Sequence, residues 1–258
     1  MIDLTETGTG DDVIILVHGT ASSPRAMGRL ATRLADAGWR VITPAMIGYG
    51  ASVMDGDDGV VARNARLLAG LRASLRGGRV VVIGHSMGGL VVLRALRAGM
   101  PADAVVLYEP VAFGVLDPID PAQRAARAWD AAVVADMAAR IEDGNSEAGV
   151  RAFIEAWNGQ AWDDMPAPVR AALVASAPVL LDDVISISAD TTDADGYRAL
   201  SAPTLILSGT ASPATARMVC DVLDAAMPNA RHVTITGAGH MAPVQHPALV
   251  AEAVLGFL

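Results

Sequence analysis

A serine lies between two glycines in the window Gly84-His85-Ser86-Met87-Gly88, directly after an apolar run and directly before a helical pattern. A nucleophile at a sharp strand-to-helix turn has a strained backbone, so the residues two positions before and after it need minimal side chains. Gly84 and Gly88 meet this requirement. The helix that follows would direct free backbone amides and the positive end of its dipole towards an oxyanion. We therefore predict Ser86 as a nucleophile and the Met87 N–H as an oxyanion donor.

Short apolar runs alternate with longer helical patterns on both sides of this turn. The runs predict strands over 13–17, 40–43, 80–83, 104–108, 204–207 and 232–236. This order is typical of an α/β fold with a mostly parallel central sheet and helices on both faces. Between 111 and 200 the strand signal disappears, and helices are predicted over 123–141, 147–157 and 169–184. We therefore predict one domain with a core of residues 1–110 and 201–258 and a helical cap insert over 111–200.

The turn and two further motifs resemble those of the α/β-hydrolase superfamily over nearly the whole chain. The motifs are His18-Gly19-Thr20 after the first strand and Gly237-Ala238-Gly239-His240-Met241 after the last. The resemblance implies the α/β-hydrolase fold and a second oxyanion donor, the Thr20 N–H. Loss of one such donor costs about 100- to 1000-fold in rate. We expect His18 itself to be structural and to bond the loop.

Five histidines compete for the role of general base. We expect the His85 side chain to point away from the nucleophile, while His232 begins a strand and His246 begins a helix. His240 lies on a loop flanked by glycines after the last strand, where the superfamily places its base. The resemblance therefore implies His240 as the base. A chemically inert tight turn would also use glycines at 84 and 88, but the downstream histidine favours the catalytic interpretation.

The acid that would orient His240 has two candidate positions. In most of the superfamily it follows the strand after the cap, but Ser212 stands where Asp is expected. Some relatives carry the acid after the strand that precedes the cap, and Glu109 stands there. The chain order Ser, Glu, His fits the fold, so we predict Glu109. Asp117, a cap aspartate such as Asp190, or no acid at all remain open alternatives.

These residues together predict acyl transfer to water through an acyl-Ser86 intermediate, with a small carboxylic ester, a thioester or a lactone as the substrate. A serine nucleophile excludes dehalogenase and epoxide hydrolase chemistry, and a chain without lysine lacks the Lys of hydroxynitrile lyases. Carbon–carbon bond hydrolysis of a diketone-like product remains an alternative. So does a low-turnover small-molecule receptor or pseudoenzyme, which the missing acid at Ser212 motivates. We expect no metal and no organic cofactor.

The amino-acid composition limits which molecules the protein is expected to bind and where in the cell it is expected to be. The chain of 258 residues is 52% hydrophobic and has a net charge of −9, with scattered arginines, which argues against nucleic acid binding. No uninterrupted apolar run is long enough to cross a bilayer. One cysteine, Cys220, excludes an internal disulfide and fits a reducing compartment. We expect a cytoplasmic protein that binds a small molecule with an apolar acyl or alkyl group; the composition is compatible with a monomer or a homodimer.

Overall fold

A computed structural model describes residues 1–258 and contains a seven-stranded sheet between layers of helices. The strand order is β1-β3-β2-β4-β5-β6-β7, and β1 alone is antiparallel to its neighbour. The strands are β1 Leu4–Thr7, β2 Val13–Val17, β3 Arg40–Pro44, β4 Val80–His85, β5 Ala104–Tyr108, β6 Thr204–Gly209 and β7 Ala230–Ile235. The predicted α/β fold with a mostly parallel sheet is confirmed.

Ten α-helices connect or cover these strands. They are α1 Gly28–Asp36, α2 Val60–Ser74, α3 Met87–Arg97, α4 Pro121–Glu142, α5 Ser146–Asn158, α6 Ala167–Ala175, α7 Ala177–Ser188, α8 Ala214–Ala226, α9 Ala242–Gln245 and α10 Pro247–Leu255. Short 3-10 helices lie at Phe113–Val115, Trp162–Asp164 and Ala194–Tyr197.

The central strands are buried on both faces because helices cover the sheet on both sides. Along β2, Val13, Ile15 and Val17 belong to the core formed with α2, α3 and α8, while Ile14 and Leu16 pack with α1 and α10. These five side chains are at most 3% exposed. Strands buried in this way have continuous apolar sequences, which is why the short apolar runs predict them.

The strand order reverses at β2, which pairs with β3 on one side and β4 on the other. The helices that follow β2 and β4 pack in the cores on opposite faces of the sheet. Such a switch point opens a crevice at the carboxyl ends of the strands. Thr20, which follows β2, and Ser86, which follows β4, line one cavity there.

Residues 111–200 contribute no strand to the sheet; they contain α4 to α7 and three 3-10 helices. Several polar contacts attach this segment to the helices of the core, including contacts with α2 and α3. The Arg94 guanidinium lies 3.0 Å from an Asp190 carboxylate oxygen, and the Val61 N–H in the first turn of α2 donates to Ser186 Oγ over 3.0 Å. The segment is thus bound to the face of the core that carries α2 and α3.

The structure differs from the sequence predictions at three places. Strand β1 was not predicted, because its four polar and apolar residues lie at an exposed edge and give no apolar run. The helix predicted over 169–184 is two helices that meet at Ser176, and Pro178 lies in the first turn of α7. Strand β7 begins at Ala230, two residues earlier than predicted.

No single helix is long and apolar enough to cross a membrane, although α6 and α7 taken together pass the same length and composition test with a 60° bend between them.

Candidate active site

Ser86 occupies the turn between β4 and α3 with φ 55° and ψ −122°. A positive φ is rare for a residue with a side chain and marks a strained backbone. The turn has no room for larger neighbours: a Cβ on Gly84 would lie 2.6 Å from the Gly88 carbonyl oxygen, and a Cβ on Gly88 would lie 2.5 Å from the Val17 carbonyl oxygen. The glycines at these two positions therefore allow the turn that presents Ser86 at the end of the sheet.

His240 lies between Ser86 and Glu109. Its Nε2 is 3.1 Å from Ser86 Oγ, and its Nδ1 is 2.7 Å from Glu109 Oε2. All three side chains are buried. A carboxylate on Nδ1 fixes the proton there, so that Nε2 faces the hydroxyl as an acceptor. The structure thus brings together the three residues that the sequence analysis selected for Ser, His and acid.

Two other side chains hold the loop that carries His240. The Tyr108 hydroxyl donates to the Gly239 carbonyl oxygen over 2.8 Å, and His85 Nε2 donates to the His240 carbonyl oxygen over 2.9 Å. The His85 ring also lines the cavity, and its centroid lies 5.0 Å from that of His240. Burial lowers the pKa of His85 well below its usual value, so this imidazole is neutral.

Glu109 is 0% exposed and has a φ of 44°. While Oε2 faces His240, Oε1 accepts a hydrogen bond from the Gly209 N–H over 2.7 Å. Both carboxylate oxygens therefore have partners, as a buried charge requires. The partner of Oε1 comes from the end of β6, the strand whose following loop carries the acid in most of the superfamily.

The alternative acids lie elsewhere. Asp117 accepts from the Ile119 N–H over 2.8 Å, and Asp190 pairs with Arg94. Ser212 is buried, and its hydroxyl has no hydrogen-bond partner. None of these three contacts His240.

The two predicted oxyanion donors flank the nucleophile. Met87 is the first residue of α3, so its N–H has no partner within the helix. The Thr20 N–H, in the loop after β2, donates to no backbone carbonyl. His18, next to this loop, is buried and bonded at both ring nitrogens: Nδ1 lies 2.8 Å from the Gly19 carbonyl oxygen, and Nε2 accepts from the Met46 N–H over 3.0 Å. Burial lowers the pKa of His18 to about 4, and its predicted structural role is confirmed.

A partly buried polar cluster that the sequence analysis missed supports the loop containing Thr20. The Thr20 hydroxyl donates to Asp183 Oδ2, and the Tyr49 hydroxyl donates to the same oxygen over 2.6 Å. The Tyr49 oxygen in turn accepts from the N–H of Ala21, which has a φ of 50°. Burial raises the pKa of Asp183 to about 7. Helix α7, which carries Asp183, is therefore bonded directly to the loop after β2.

An apolar cavity lies over Ser86 and His240. Trp157 packs on the His240 ring with 4.8 Å between ring centroids. Of the other cap tryptophans, Trp129 lies 5.4 Å from Trp157 by ring centroids and Trp162 is buried outside the cavity lining. The apolar lining contributed by residues 111–200 is Val111, Phe113, Val134, Phe153, Ile154, Trp157, Val184 and Ile187. A ligand bound here would be largely removed from water.

No group of three or more His, Cys, Asp or Glu side chains is arranged to hold a metal ion. The single cysteine, Cys220, is buried in α8, and burial raises the pKa of its thiol well above the usual value.

The chain is similar to known alpha/beta hydrolases in both sequence and structure. The model of the alpha/beta hydrolase family matches residues 14–253. An alpha/beta hydrolase from Sphaerobacter thermophilus is 26% identical with a TM-score of 0.73, over 99% of this chain and 95% of that one. A thermophilic esterase from Thermogutta terrifontis has a TM-score of 0.76 over 99% of this chain and 92% of that one; at 24% identity the likeness concerns the fold alone.

One curated relative matches a limited part of the chain. It is a 2-hydroxy-6-oxononadienedioate/2-hydroxy-6-oxononatrienedioate hydrolase from Burkholderia vietnamiensis; the two are 37% identical over an alignment of 99 residues, which covers 34% of this chain. The match spans only 32% of the length of that relative.

Proposed function

Because this chain belongs to the α/β hydrolase family, we propose that it is a serine hydrolase that cleaves a small carboxylic ester, or a thioester or lactone, through an acyl-Ser86 intermediate. The observation that carries this proposal is the buried hydrogen-bonded line from Glu109 through His240 to Ser86, with distances of 2.7 and 3.1 Å. A nucleophile, a base within reach and a group that orients the base are the requirements of this chemistry.

In the proposed first half-reaction, Ser86 Oγ attacks the carbonyl carbon while His240 Nε2 takes the hydroxyl proton. The Nδ1–H of His240 stays bonded to Glu109, whose carboxylate stabilises the imidazolium. The charge that develops on the carbonyl oxygen is held by the N–H groups of Met87 and Thr20. The tetrahedral intermediate then expels the alcohol, which receives the proton from His240 Nε2. Water repeats the sequence on the acyl-enzyme, releases the acid and restores Ser86.

We further propose that residues 111–200 act as a cap that excludes water and selects the substrate. Their side chains, among them Phe113, Phe153 and Trp157, supply most of the apolar lining above Ser86. Hydrophobic and aromatic walls with few polar groups are typical of small-molecule sites. This lining favours a substrate with an apolar acyl or alkyl group.

Hydrolysis of a carbon–carbon bond in a diketone-like product is the competing proposal, since it uses the same three residues. The partial similarity to a hydrolase named for a dicarboxylate substrate favours it. Two observations weigh against a dicarboxylate here: no arginine lines the cavity, and the chain contains no lysine. Ester hydrolysis requires no such countercharge.

A receptor with low turnover is the third possibility raised by the sequence, because Ser212 replaces the expected acid. The contact between Glu109 and His240 weighs against this possibility, since His240 has a carboxylate partner that follows another strand.

The test compares the wild type with Ser86→Ala on a panel of short p-nitrophenyl esters and on an aromatic ring-cleavage product, with fluorophosphonate labelling in parallel. We expect multiple turnovers of at least one ester, stoichiometric labelling of the wild type and neither in Ser86→Ala. Turnover of the ring-cleavage product alone would support carbon–carbon hydrolysis. Activity retained by Ser86→Ala would refute the mechanism.

A further inference from the structure

Asp130 places a carboxylate in the wall of the apolar cavity. It lies in the interior of α4, 7% exposed, and lines the same cavity as Ser86 and His240. It makes no salt bridge and no side-chain hydrogen bond within the protein, and burial is the sole cause that raises its pKa to about 7. A buried carboxylate without a partner is costly to the fold.

A structural role does not account for Asp130. The N-cap of α4 is Asp120, whose side chain accepts from the N–H groups of Ala122 and Gln123. Asp130 is ten residues further along the chain, where the backbone N–H groups already have partners within the helix. Val134 and Phe153 in the cavity wall offer no donor, and the indole N–H of Trp157 in the same wall makes no hydrogen bond to Asp130.

The cavity supplies no positive charge to Asp130. No arginine lines it, and the ionisable side chains that do are Asp130, His85 and His240. His85 is neutral and bonded to the His240 carbonyl oxygen, while His240 lies between Glu109 and Ser86. His85 Nδ1 and Trp157 Nε1 also lack a partner in this wall, but neither carries a charge, and Asp130 is the carboxylate that no cation of the protein faces.

We propose that Asp130 binds a protonated amine on the substrate, so that the esters hydrolysed at Ser86 carry a cationic amine in their acyl or alcohol part. This inference rests on the proposed ester hydrolysis. An ammonium group would donate a charge-assisted hydrogen bond to the carboxylate, and the apolar lining would surround the rest of the substrate. The net charge of −9 would also attract a cation and repel a carboxylate.

The test uses pairs of esters that differ only in charge. Dimethylaminoethyl acetate is compared with isopentyl acetate, and dimethylglycine ethyl ester with ethyl isovalerate; in each pair a protonated nitrogen replaces a CH group. The kcat/KM ratio of amine to neutral ester is measured at neutral pH for the wild type and for Asp130→Asn. Asp136→Asn is the matched control, because it removes an exposed charge from the same helix. Fluorophosphonate titration gives the concentration of competent enzyme in every preparation.

We expect the amine-to-neutral ratio of at least one pair to be about tenfold higher in the wild type than in Asp130→Asn, and to be unchanged in Asp136→Asn. Monoethyl succinate, which carries a carboxylate, should improve relative to ethyl isovalerate in Asp130→Asn. If Asp130→Asn lowers the rates on amine and neutral esters equally, Asp130 has a structural role and the inference is wrong. If the wild type shows no preference for either amine ester, it is also wrong.

Binding to Ser86→Ala separates this inference from the proposed function. Calorimetry with dimethylaminoethyl acetate and isopentyl acetate measures recognition without hydrolysis. Preferential binding of the amine ester in Ser86→Ala, together with no turnover by the wild type, would retain the amine site and refute ester hydrolysis. Turnover of neutral esters without preferential binding of the amine ester would support ester hydrolysis and refute the amine site.

Discussion

Glu109 has a φ of 44° although it carries a side chain and precedes a proline. Residues in this conformation persist only where the surrounding structure holds them. Here the Glu109 N–H donates to the Leu207 carbonyl oxygen over 2.9 Å, and the Gly209 N–H holds Oε1. Both anchors belong to β6. The neighbouring strand therefore fixes the carboxylate against His240, although it supplies no acid of its own.

Replacing Glu109 with Gln tests this arrangement. The amide can donate to His240 Nδ1, which favours the tautomer whose Nε2 carries a proton and cannot accept one from Ser86. We expect kcat/KM on the best ester to fall by about 100- to 10 000-fold, with a matching loss in the rate of fluorophosphonate labelling.

Glu252→Gln, at an exposed position on α10, is the control and should keep the activity of the wild type. Full activity in Glu109→Gln would place the acid elsewhere, and Ser212→Asp would then be the variant to examine for a second acid position.

The residues predicted from sequence are those whose place in the chain determines their place in the fold. Ser86 and Glu109 follow β4 and β5 directly, and His240 lies in the loop after β7. The carboxyl ends of parallel strands meet at one edge of the sheet. Asp130 and Asp183 lie within helices, where an aspartate looks the same in sequence whether it faces water or a cavity. Their positions depend on how α4 and α7 lie over the core, and no local pattern encodes that packing.

At the scale of elements, the loop after β2 depends on a helix that is distant in sequence. Ala21 has a positive φ, and its N–H is held by the Tyr49 hydroxyl, which is bonded to Asp183 of α7. The direction of the Thr20 N–H is set by the same stretch of backbone. The proposed cap therefore contacts the loop that carries the Thr20 N–H, the proposed oxyanion donor, and also forms part of the cavity wall.

Tyr49→Phe removes one hydroxyl from this cluster and leaves the Ala21 N–H without its acceptor. We expect kcat to fall about tenfold with little change in KM, because the donor matters most when charge develops on the carbonyl oxygen. Steady-state kinetics on a neutral ester measures both constants.

Tyr197→Phe is the control, since Tyr197 is a buried tyrosine in the 3-10 helix Ala194–Tyr197 and lies outside the cluster of Thr20, Tyr49 and Asp183. It should alter the thermal midpoint without altering kcat. If Tyr49→Phe lowers the thermal midpoint but leaves kcat as unchanged as Tyr197→Phe does, the Tyr49 hydroxyl contributes to stability alone.

The helices and strands could be predicted where the spacing of apolar residues in the sequence matches the face that is buried in the structure. The central strands and the helices between them follow from apolar runs and helical spacing. Edge strand β1 escapes prediction because pairing with β3, not burial, defines it. The break at Ser176 was missed because the apolar spacing continues across it, although Pro178 is a signal for a new helix start.

At the scale of the whole molecule, two buried ionisable groups, Asp183 and His18, make the free energy of unfolding change with pH in opposite directions. Asp183 has a folded-state pKa of about 7 against an ordinary value of 3.8. The folded state then holds a proton that the unfolded state has lost, so this group lowers the free energy of unfolding as pH rises from about 4 to about 7. His18, with its pKa lowered to about 4, acts in the opposite sense between about 4 and 6.5.

Asp183→Asn isolates the first contribution. As pH rises from about 4 to about 7, the wild type should lose about 2–4 kcal/mol of unfolding free energy relative to Asp183→Asn. Urea unfolding at several pH values measures it. Asp195→Asn, an exposed aspartate paired with Arg198, should show a difference that stays within about 0.5 kcal/mol. A flat difference for Asp183→Asn would mean that Asp183 is ionised in the folded protein.

The segment over residues 111–200 leaves the sheet after β5 and returns at β6, and these two strands are paired in parallel from Val105 opposite Thr204 to Tyr108 opposite Leu207. It is therefore the crossover connection of the sheet and not a unit appended to a finished core. The chain must close this connection before β5 can pair with β6. We therefore predict that the position that holds Glu109, the proposed acid, and the proposed cover over the site form in the same step of folding.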